Sequence, residues 1–310
     1  MSPFKLAIIG ECMVELQHTE QGLRQSFGGD SLNTAVYFTR LTREHPFTTA
    51  YVTALGQDRF SLDMLTAWQS EGIDTRLVRR FDDKSPGLYY IDTDDSGERS
   101  FTYWRNDAAA KYLFDPDRIG DLSDQLLEFN AWYLSGISLA ILTDVGRQTL
   151  FELMARFVEQ GGKVYFDNNY RPKLWSSPEQ AQQAYAQVLA LTDTALLTFD
   201  DEQLLYGDRE EQQCIARTQE FGVREIIIKR GGEAALVVLD QQMDSVAPAP
   251  VEKIVDTTAA GDSFSGGYLA RRLTQGSAVE SAQFGHRVAG QVIQTKGALI
   301  PPAAMQSVEL

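Results

Sequence analysis

Two aspartates enclose a run of small residues near the end of the chain, Asp256-Thr257-Thr258-Ala259-Ala260-Gly261-Asp262. A stretch with β character, Glu252-Lys253-Ile254-Val255, precedes the run, and a helical pattern follows it. A tight turn into a helix leaves backbone N–H groups unpaired, and the helix dipole favours anions at that point. Asp262 can then take up a proton while the amides hold a phosphate group. The alternative interpretation is a strand–turn–helix corner whose aspartates only cap the helix.

A second polar group opens a predicted helix near the N-terminus, at Gly28-Gly29-Asp30-Ser31-Leu32-Asn33. Glycine permits close backbone approach, and the side chains of Asp30 and Asn33 can hydrogen-bond to hydroxyl groups. This composition favours a site for a hydroxyl-bearing ligand. Asp30 as the N-cap residue of the helix is the alternative, and the two roles are compatible.

Two arginines are candidates for binding anions, because the planar guanidinium pairs with carboxylate and phosphate groups through two hydrogen bonds. Arg105 lies two residues after Tyr103 in a predicted strand, so both side chains share one face. Arg171 follows a strand that ends at Asp167 and is expected on a loop at the carboxyl end of that strand. The alternative for both is a solvated surface arginine.

The chain has 310 residues and a net charge of −15, from 28 basic and 43 acidic residues. This charge argues against nucleic acid and anionic membrane surfaces as partners. An anionic substrate then needs local arginines and lysines, oriented amides and a cation such as Mg²⁺. Two cysteines, no apolar run of about 18 residues and no signal-like N-terminus predict a cytoplasmic protein. The three histidines show no metal-ligand spacing.

Apolar runs of strand length alternate with helical patterns along most of the chain. Predicted strands include residues 4–10, 51–56, 131–135, 163–167, 195–198 and 225–229, and predicted helices include 58–71, 144–160, 178–191 and 209–221. Repeated βα units predict an α/β fold with a parallel sheet covered on both faces. The length of 310 residues allows one large domain or two modest ones. Loops that carry chemistry are then expected beyond the carboxyl ends of the strands.

One region breaks this alternation. Two strand-like segments, 87–91 and 99–105, flank Asp94-Asp95-Ser96-Gly97, which is a hairpin turn signal. Residues 11–27 also lack helical periodicity. Together, residues 11–27 and 85–106 predict a small antiparallel sheet inserted into the α/β body.

Phosphate-binding motifs of other enzyme classes are absent from the sequence. There is no G-x-x-x-x-G-K-[ST] loop, no protein-kinase motif set and no G-x-G-x-x-G after the first strand, which argues against P-loop, protein-kinase and NAD-dehydrogenase interpretations. The segments 256–262 and 28–35 instead resemble the two signatures of the ribokinase-like (PfkB-type) carbohydrate kinases. Asp167-Asn168-Asn169-Tyr170-Arg171 is similar to the motif of the branch that phosphorylates 2-keto-3-deoxygluconate. The resemblance extends over essentially all 310 residues and implies a single domain over residues 1–310.

The resemblance implies a fold and a catalytic centre. The implied fold is a ribokinase-like three-layer sandwich with a mainly parallel central sheet and a small antiparallel β lid over the sugar. Asp262 is the implied general base, and the backbone amides of Ala259, Ala260, Gly261 and Asp262 are the implied anion hole. The residues expected to bind the sugar are Gly29, Asp30, Asn33, Tyr89, Tyr103, Arg105, Arg171 and Asp262. The sequence leaves open whether Tyr89 or Tyr90 faces the sugar.

The resemblance also implies ATP and Mg²⁺ as cofactors. The residues expected at the nucleotide are Asn169, Arg171, Thr198, Lys229, Gly231, Gly232, Thr258 and Gly261. Position 234, where the family pattern has glycine, is alanine here. A monovalent cation such as K⁺ is expected, by resemblance alone, beside a loop of Asp256, Thr258 and Gly297.

The implied reaction is the ATP-dependent phosphorylation of 2-keto-3-deoxy-D-gluconate to 2-keto-3-deoxy-6-phosphogluconate. The implied partners are the sugar acid, ATP and further copies of the chain in a homo-oligomer. A kinase for a neutral sugar such as fructose or ribose is one alternative, and Arg105 and Arg171 argue against it because a neutral sugar has no carboxylate. A non-catalytic sugar-binding protein on the same fold is another, and Asp262 argues against it because binding alone requires no base.

Overall fold

The computed structural model of the chain describes residues 3–19, 22–93, 99–305 and 308–310. The predicted turn at residues 94–97 lies outside these ranges. The strands in the described part are, in chain order, β1 (Phe4–Ile9), β2 (Met13–Thr19), β3 (Gly22–Gly28), β4 (Phe47–Val52), β5 (Ala54–Leu55), β6 (Arg79–Arg80), β7 (Leu88–Thr93), β8 (Arg99–Trp104), β9 (Ala131–Ser135), β10 (Lys163–Asp167), β11 (Thr194–Thr198), β12 (Glu225–Lys229), β13 (Ala235–Leu239) and β14 (Gln242–Val246).

The α-helices of the same ranges are α1 (Asp30–Leu41), α2 (Arg59–Ser70), α3 (Leu122–Leu127), α4 (Gly136–Ala140), α5 (Asp144–Glu159), α6 (Pro178–Leu189), α7 (Phe199–Tyr206), α8 (Glu211–Glu220), α9 (Ala260–Leu273) and α10 (Ala278–Val292). Local capping explains several of their starts, because the side chains of Asp58, Thr143 and Ser277 accept hydrogen bonds from the first turns of α2, α5 and α10. The four helices predicted between residues 58 and 221 correspond to α2, α5, α6 and α8. Within the described ranges, no helix combines the length and the apolar character needed to cross a membrane.

Eight of these strands form one sheet in the order β14-β13-β12-β11-β10-β9-β1-β4. The six strands from β12 to β4 in that order pair in parallel, and β13 and β14 add antiparallel strands at one edge. The parallel strands are apolar and buried, as in Leu6–Ile9 and Ile226–Ile228, because helices cover both faces of the sheet. The predicted parallel sheet is confirmed. The antiparallel edge is an addition that the helix–strand alternation does not indicate.

Two apolar clusters fill the space on the two faces of this sheet. One contains residues of α3, α5, α6 and α8, and the other contains residues of α1, α2, α9 and α10. Side chains of one strand alternate between them: Ala7 and Ile9 of β1 belong to the first cluster, and Leu6 and Ile8 belong to the second. This helix–sheet–helix layering confirms the three-layer sandwich.

A separate four-stranded sheet has the order β3-β2-β7-β8. The pairs β2–β3 and β7–β8 are antiparallel, whereas β2 and β7 pair in parallel. Both hairpins leave the body side by side in the same direction, and the Val14 N–H donates to the Gly87 carbonyl at 2.8 Å where they depart. The predicted small sheet is confirmed, and its central parallel pairing is a difference from the antiparallel sheet expected.

Residues 252–255 do not form the strand expected from their β character. Ile254 and Val255 are exposed, at 62% and 46%. The backbone N–H groups of Val255 and Asp256 donate to the carbonyl of Ile293, at 2.8 and 3.1 Å, and not to a neighbouring strand. The prediction is wrong because β character is local, whereas strand formation also needs a sheet edge beside it. The turn that follows is therefore held by the end of α10.

Glycines set the distance between α9 and its two neighbouring helices. A Cβ on Gly266 would lie 3.0 Å from the carbonyl oxygen of Thr34 in α1. A Cβ on Gly267 would lie 2.7 Å from Cγ2 of Val288 in α10. Helices approach this closely only where one side has no side chain. The first turns of α1 and α9 are brought together as a result.

Candidate active site

A cavity of about 340 Å³ lies at the carboxyl ends of β10, β11 and β12, in front of the start of α9. This is where a parallel sheet places its binding loops. The predicted residues that line it are Asn169, Arg171, Thr198, Lys229, Gly231, Thr258, Ala260, Gly261 and Asp262. Gly232 and Ala259 are not among the lining residues. Phe264 and His286 also line the cavity, and neither lies in a segment that the sequence marks as nucleotide-binding.

The start of α9 presents unpaired amides. The N-cap residue Ala259 has no side chain that could accept a hydrogen bond from the first turn. The N–H of Ala260 donates to the carbonyl of Thr257 at 3.1 Å and is therefore already used. The N–H groups of Ala259, Gly261 and Asp262 have no acceptor among the described residues. Of the four amides predicted for the anion hole, those of Gly261 and Asp262 are available at the cavity.

Asp262 lies in the first turn of α9 with one carboxylate oxygen held. Asn33 Nδ2 donates to Asp262 Oδ2 at 2.8 Å, and Oδ1 receives no hydrogen bond from the described residues. Burial and then the nearby Asp30 carboxylate raise the pKa of the Asp262 carboxyl well above its usual range, while the Asn33 hydrogen bond and Lys229 oppose that shift. A raised pKa makes this carboxylate a stronger base than an ordinary surface aspartate.

Gly261 is not required by the backbone conformation. Its φ is outside the positive range, and a Cβ at this position would meet only Lys229 Nζ at 3.7 Å, an ordinary van der Waals contact. The backbone angle therefore does not demand glycine here. Glycine is needed at this position only if a ligand approaches the amides of the turn closely.

We expect Gly261→Ala to fold normally and to lower kcat/KM for ATP by about 10-fold, because the methyl group would obstruct the approach of a phosphate to the amides. Thermal melting checks the fold, and initial rates at varied ATP concentration check the kinetics. Wild-type kcat/KM for ATP in this variant would show that no phosphate approaches the turn.

Asp30 connects the start of α1 to the loop after β10. Its Oδ2 accepts hydrogen bonds from Ser135 Oγ at 2.5 Å and from Asn169 Nδ2 at 2.7 Å. The N-cap of α1 is Gly29, so the interpretation of Asp30 as the cap is wrong. Asn169 has a φ of 28°, a strained conformation that asparagine tolerates better than most residues. Sequence reasoning missed Ser135, whose only signal is its place at the carboxyl end of a buried strand.

Lys229, at the end of β12, is paired inside the protein. Its Nζ donates to Asp167 Oδ2 at 2.6 Å, and Ser265 Oγ donates to the same oxygen at 2.8 Å. Lys229 and Asp167 are both buried. Lys229 therefore places a positive charge in the cavity wall near Gly261, and Asp167 compensates part of that charge.

Arg171 stands at the mouth of the cavity, on the predicted loop after β10. Its Nη1 donates to the carbonyl of Tyr170 at 2.7 Å and to Asp201 Oδ1 at 3.3 Å. The side chain is 52% exposed, so solvent screens this ion pair. The guanidinium has further N–H groups with which to bind an anion in the cavity.

Tyr89 and Tyr103 lie opposite each other on one face of the small sheet, with ring centroids 5.8 Å apart. The alternation of side chains along β7 puts Tyr90 on the other face. Tyr89, and not Tyr90, therefore shares the face of Tyr103. The Tyr89 hydroxyl donates to Glu15. Burial and the Glu15 carboxylate raise the pKa of this hydroxyl, which keeps it protonated as a donor.

Arg105 follows β8 and forms an ion pair with Glu11, which follows β1. The two side chains are only 11% and 2% exposed. Burial raises the pKa of the Glu11 carboxyl, and Arg105 acts in the opposite direction. The pair ties together two of the chain crossings between the body and the small sheet. Sequence reasoning missed Glu11, although an acid directly after a buried parallel strand is a signal that could have found it.

Gly29, Gly231 and Thr198 each have a structural role of their own. A Cβ on Gly29 would lie 2.3 Å from the carbonyl oxygen of Glu11, so this position excludes any side chain. Gly231 has a φ of 58°, in the left-handed region that favours glycine, between β12 and β13. Thr198 is the N-cap residue of α7, and its N–H donates to Asn168 Oδ1 at 2.9 Å. Any binding role of these residues is combined with a structural one.

Asp256 links the turn before α9 to a loop near the C-terminus. Its carboxylate accepts hydrogen bonds from the N–H of Thr258 at 3.0 Å, the hydroxyl of Thr258 at 2.5 Å and the N–H of Gly297 at 3.0 Å. The three residues expected at a cation loop are therefore in direct contact.

Comparison with known proteins places this site in a family. The model of the pfkB family carbohydrate kinases matches residues 4–304. The chain is 51% identical over 308 residues to 2-dehydro-3-deoxygluconokinase of Dickeya dadantii (strain 3937), covering 98% of this chain and 99% of that protein. It is 50% identical over 304 residues to 2-dehydro-3-deoxygluconokinase of Escherichia coli (strain K12), covering 97% and 98%.

The fold is also found in solved structures. The structure of aminoimidazole riboside kinase from Salmonella enterica, complexed with aminoimidazole riboside and an ATP analog, superposes with a TM-score of 0.83. That comparison covers 98% of this chain and 99% of the other at 24% sequence identity. The match to the family model over nearly the whole chain and the fold agree: this chain belongs to the pfkB family of carbohydrate kinases.

Proposed function

We propose that the chain transfers the terminal phosphoryl group of ATP to 2-dehydro-3-deoxy-D-gluconate, also called 2-keto-3-deoxy-D-gluconate, to give the 6-phosphate. Two relatives with that activity in their names are 50% and 51% identical to it over nearly the whole chain. The observation in the structure that carries the proposal is Asp262, a carboxylate at a helix N-terminus where, among the described residues, one of its oxygens and the neighbouring amides have no hydrogen-bond partner. A protein that only binds sugar needs neither a base nor an anion site at that point.

We assign the residues of the site to a nucleotide side and a sugar side of Asp262. On the nucleotide side, the amides of Gly261 and Asp262 and the dipole of α9 attract the terminal phosphate. On the sugar side, Asp30, Asn33 and the Tyr89 face of the small sheet bind hydroxyl groups. Asp262 Oδ1 takes the proton of the 6-hydroxyl of the sugar while the oxygen of that hydroxyl attacks the terminal phosphorus of ATP. The bond between this phosphorus and the bridging oxygen breaks, and ADP leaves with its electron pair.

Mg²⁺ is part of this proposal, because ATP carries more negative charge than the turn can neutralise. The cavity offers hard oxygen donors of the kind that Mg²⁺ prefers, namely the Asn169 amide and the carboxylates of Asp200 and Asp201. These residues would hold the ion together with the phosphates. When bound, the ion neutralises charge on the phosphate oxygens.

The experiment that tests the proposal is an ADP-release assay on the purified protein, with a panel of sugar acids and neutral sugars at fixed MgATP. We expect kcat/KM for 2-dehydro-3-deoxygluconate to exceed that for fructose or ribose by more than about 10-fold, because a carboxylate adds charge-assisted contacts. Preference for a neutral sugar would overturn the substrate. Absence of sugar-dependent ADP release across the panel would overturn the kinase assignment.

A neutral-sugar kinase is the second candidate, and the Glu11–Arg105 pair favours it, because part of the Arg105 charge is already neutralised. The contact with Glu11 is made through Nη2 of Arg105. A guanidinium has five N–H donors, so others are left for a substrate carboxylate. For this reason we favour the sugar acid.

We also propose that a monovalent cation such as K⁺ binds where Asp256 joins the turn before α9 to the Gly297 loop. The buried Asp256 carboxylate brings negative charge to the meeting point of two loops. A cation held there would steady the turn that carries the anion-site amides. Rates in KCl and in choline chloride at equal ionic strength test this, and equal rates would argue against the ion.

We propose that the chain forms a homo-oligomer through the small sheet. Leu23 and Trp104 are 60% and 59% exposed, on the face opposite Tyr89. Leu23 lies on the edge strand β3 and Trp104 on the opposite edge strand β8, and an exposed apolar side chain at each edge favours contact with another protein surface. Light scattering of wild type and Trp104→Asp tests this, and a wild-type mass of 34.6 kDa, that of one chain, would refute it.

We place the reaction in the cytoplasm, where ATP is supplied. Cys12 and Cys214 are buried free thiols, which suits a reducing compartment. Cell fractionation with an antibody to the chain tests this placement, and recovery outside the cytoplasmic fraction would contradict it.

A further inference from the structure

Asn33 lies between the expected sugar site and the expected base. It is in the first turn of α1, is buried, and its backbone N–H donates to the carbonyl of Gly29 at 2.9 Å. Its side-chain Nδ2 donates to Asp262 Oδ2 at 2.8 Å. The hydroxyl of the next residue, Thr34, lies 3.2 Å from the backbone carbonyl oxygen of Asp262 and shares its one proton among this oxygen, the Asp30 carbonyl at 3.2 Å and the Tyr133 hydroxyl at 3.3 Å. Two adjacent residues of α1 therefore contact both the side chain and the backbone of Asp262 in α9.

The other end of the Asn33 amide lacks a partner. Its Oδ1 is buried and receives no hydrogen bond from any described residue. Buried polar atoms in native proteins are nearly always paired, so this oxygen indicates a donor that comes with a ligand. A sugar hydroxyl is such a donor. The same amide would then contact the sugar through its oxygen and Asp262 through its nitrogen.

The hydrogen bond from Asn33 also fixes the orientation of the Asp262 carboxylate. It holds Oδ2 toward α1, whereas Oδ1 receives no hydrogen bond from the described residues and has both lone pairs open to a proton from the substrate. A carboxylate that rotated freely would spend part of its time misaligned with the attacking hydroxyl, which slows a reaction that depends on orientation. The close packing of α1 against α9 at Gly266 keeps donor and carboxylate at this distance.

We propose that Asn33 is a positioning residue for the base: its amide nitrogen fixes the Asp262 carboxylate so that Oδ1 faces the hydroxyl to be phosphorylated, while its amide oxygen accepts a second sugar hydroxyl. This inference rests on the proposed kinase function. It adds an action through Asp262 to the sugar-binding role expected for Asn33.

The positioning role has a consequence for pH dependence. A donor to the ionised carboxylate stabilises the ionised form, so Asn33 lowers the pKa of Asp262, and its removal must raise that pKa. Since the base acts ionised, the low-pH limb of the rate profile must then move to higher pH. Other charged and titratable groups also face Asp262, and substitution of Asn33 leaves them in place. They are Asp30 on α1, Asp167 on β10, Lys229 on β12, Tyr37 on α1 and Tyr133 on β9.

The test compares pH profiles of kcat for wild type, Asn33→Ala and Asn33→Asp with 2-dehydro-3-deoxygluconate as substrate. We expect kcat near pH 7 to fall about 10-fold in Asn33→Ala, and the low-pH limb of its profile to move toward higher pH by about one unit. The aspartate of Asn33→Asp has nearly the same shape as asparagine but adds a negative charge, so the low-pH limb of this variant should move further toward higher pH. If Asn33 only packed against its neighbours, the limb would not shift progressively from wild type to Asn33→Ala to Asn33→Asp.

Thr39→Ala, two turns further along α1, is the matched control and should keep the wild-type profile. Melting temperature and ADP affinity by calorimetry report whether each variant is folded. Unshifted low-pH limbs in both Asn33 variants, with ADP affinity retained, would overturn the positioning role. A wild-type protein without sugar-dependent ADP release would instead overturn the proposed function, so the two failures are distinguishable.

Discussion

Replacing Asp262 by asparagine is expected to lower kcat by about 100-fold or more, the usual scale for loss of a general base. The amide has almost the same shape as the carboxylate and keeps an oxygen that can accept the hydrogen bond from Asn33, but it cannot take up a proton. Because a base is lost and no binding contact is removed, KM for the sugar and for MgATP should change little. Steady-state rates at high enzyme concentration measure the residual turnover.

The pH profile provides a second measurement on the same variant. Wild-type activity should fall at low pH as Asp262 becomes protonated, and the raised pKa places this fall at higher pH than for an ordinary aspartate. Asp262→Asn should lack that limb. Asp124→Asn, which changes an exposed carboxylate in α3, is the control and should behave as wild type. Turnover near the wild-type value in Asp262→Asn would remove this residue from the role of base.

Arg105→Ala is expected to raise KM for 2-dehydro-3-deoxygluconate by about 10- to 100-fold, the effect of losing one charge-assisted hydrogen bond in a closed site. The loss for a neutral sugar that is turned over at all should be much smaller, because that sugar never used the bond. Arg105→Lys should recover only part of the affinity, since lysine keeps the charge but not the planar fork. Arg171→Ala supplies the comparison, because an arginine that binds nucleotide phosphates affects every sugar equally.

The Glu11–Arg105 pair requires its own control. Removing Arg105 alone leaves a buried carboxylate without its partner, which costs about 3–5 kcal/mol of stability. Combining Arg105→Ala with Glu11→Gln removes that charge, so it should restore stability without restoring affinity for the acid. Arg76→Ala, at an exposed arginine, controls for the loss of one positive charge. Equal proportional losses for acid and neutral sugars would assign Arg105 to the structure and favour the neutral-sugar kinase.

The sheet and its covering helices could be predicted because their signals are local. A run such as Leu6–Ile9 is apolar at every position, which a strand buried on both faces requires. The β2–β7 pairing could not be predicted, because it depends on how two hairpins about 60 residues apart leave the body together. The strand prediction for residues 252–255 is wrong for the same reason: their β character is real, but no strand edge of the described ranges lies beside them.

The candidate site likewise contains residues that could be predicted from the sequence and residues that could not. Asp262 and the small residues before it could be predicted as a candidate site because one short segment holds both the proposed base and the proposed anion-site amides. Its partner Asn33 is 229 positions away, and nothing local marks their contact. Glu11 and Ser135 were missed because each acts through a partner, Arg105 and Asp30, that the fold brings to it. Sequence motifs thus identify groups that touch ligands more readily than the groups that hold them.

The glycines of α9 show that one short segment can meet two unrelated requirements. Gly261 has room for a methyl group within the protein, whereas Gly266 and Gly267, five and six residues later, have none. Neighbouring helices therefore constrain Gly266 and Gly267, whereas only the proposed phosphate contact would constrain Gly261. A change of nucleotide or phosphate donor during evolution would relax selection at Gly261 alone, while Gly266 and Gly267 would persist even in a descendant that had lost catalysis, because they set the spacing of helices and not the chemistry.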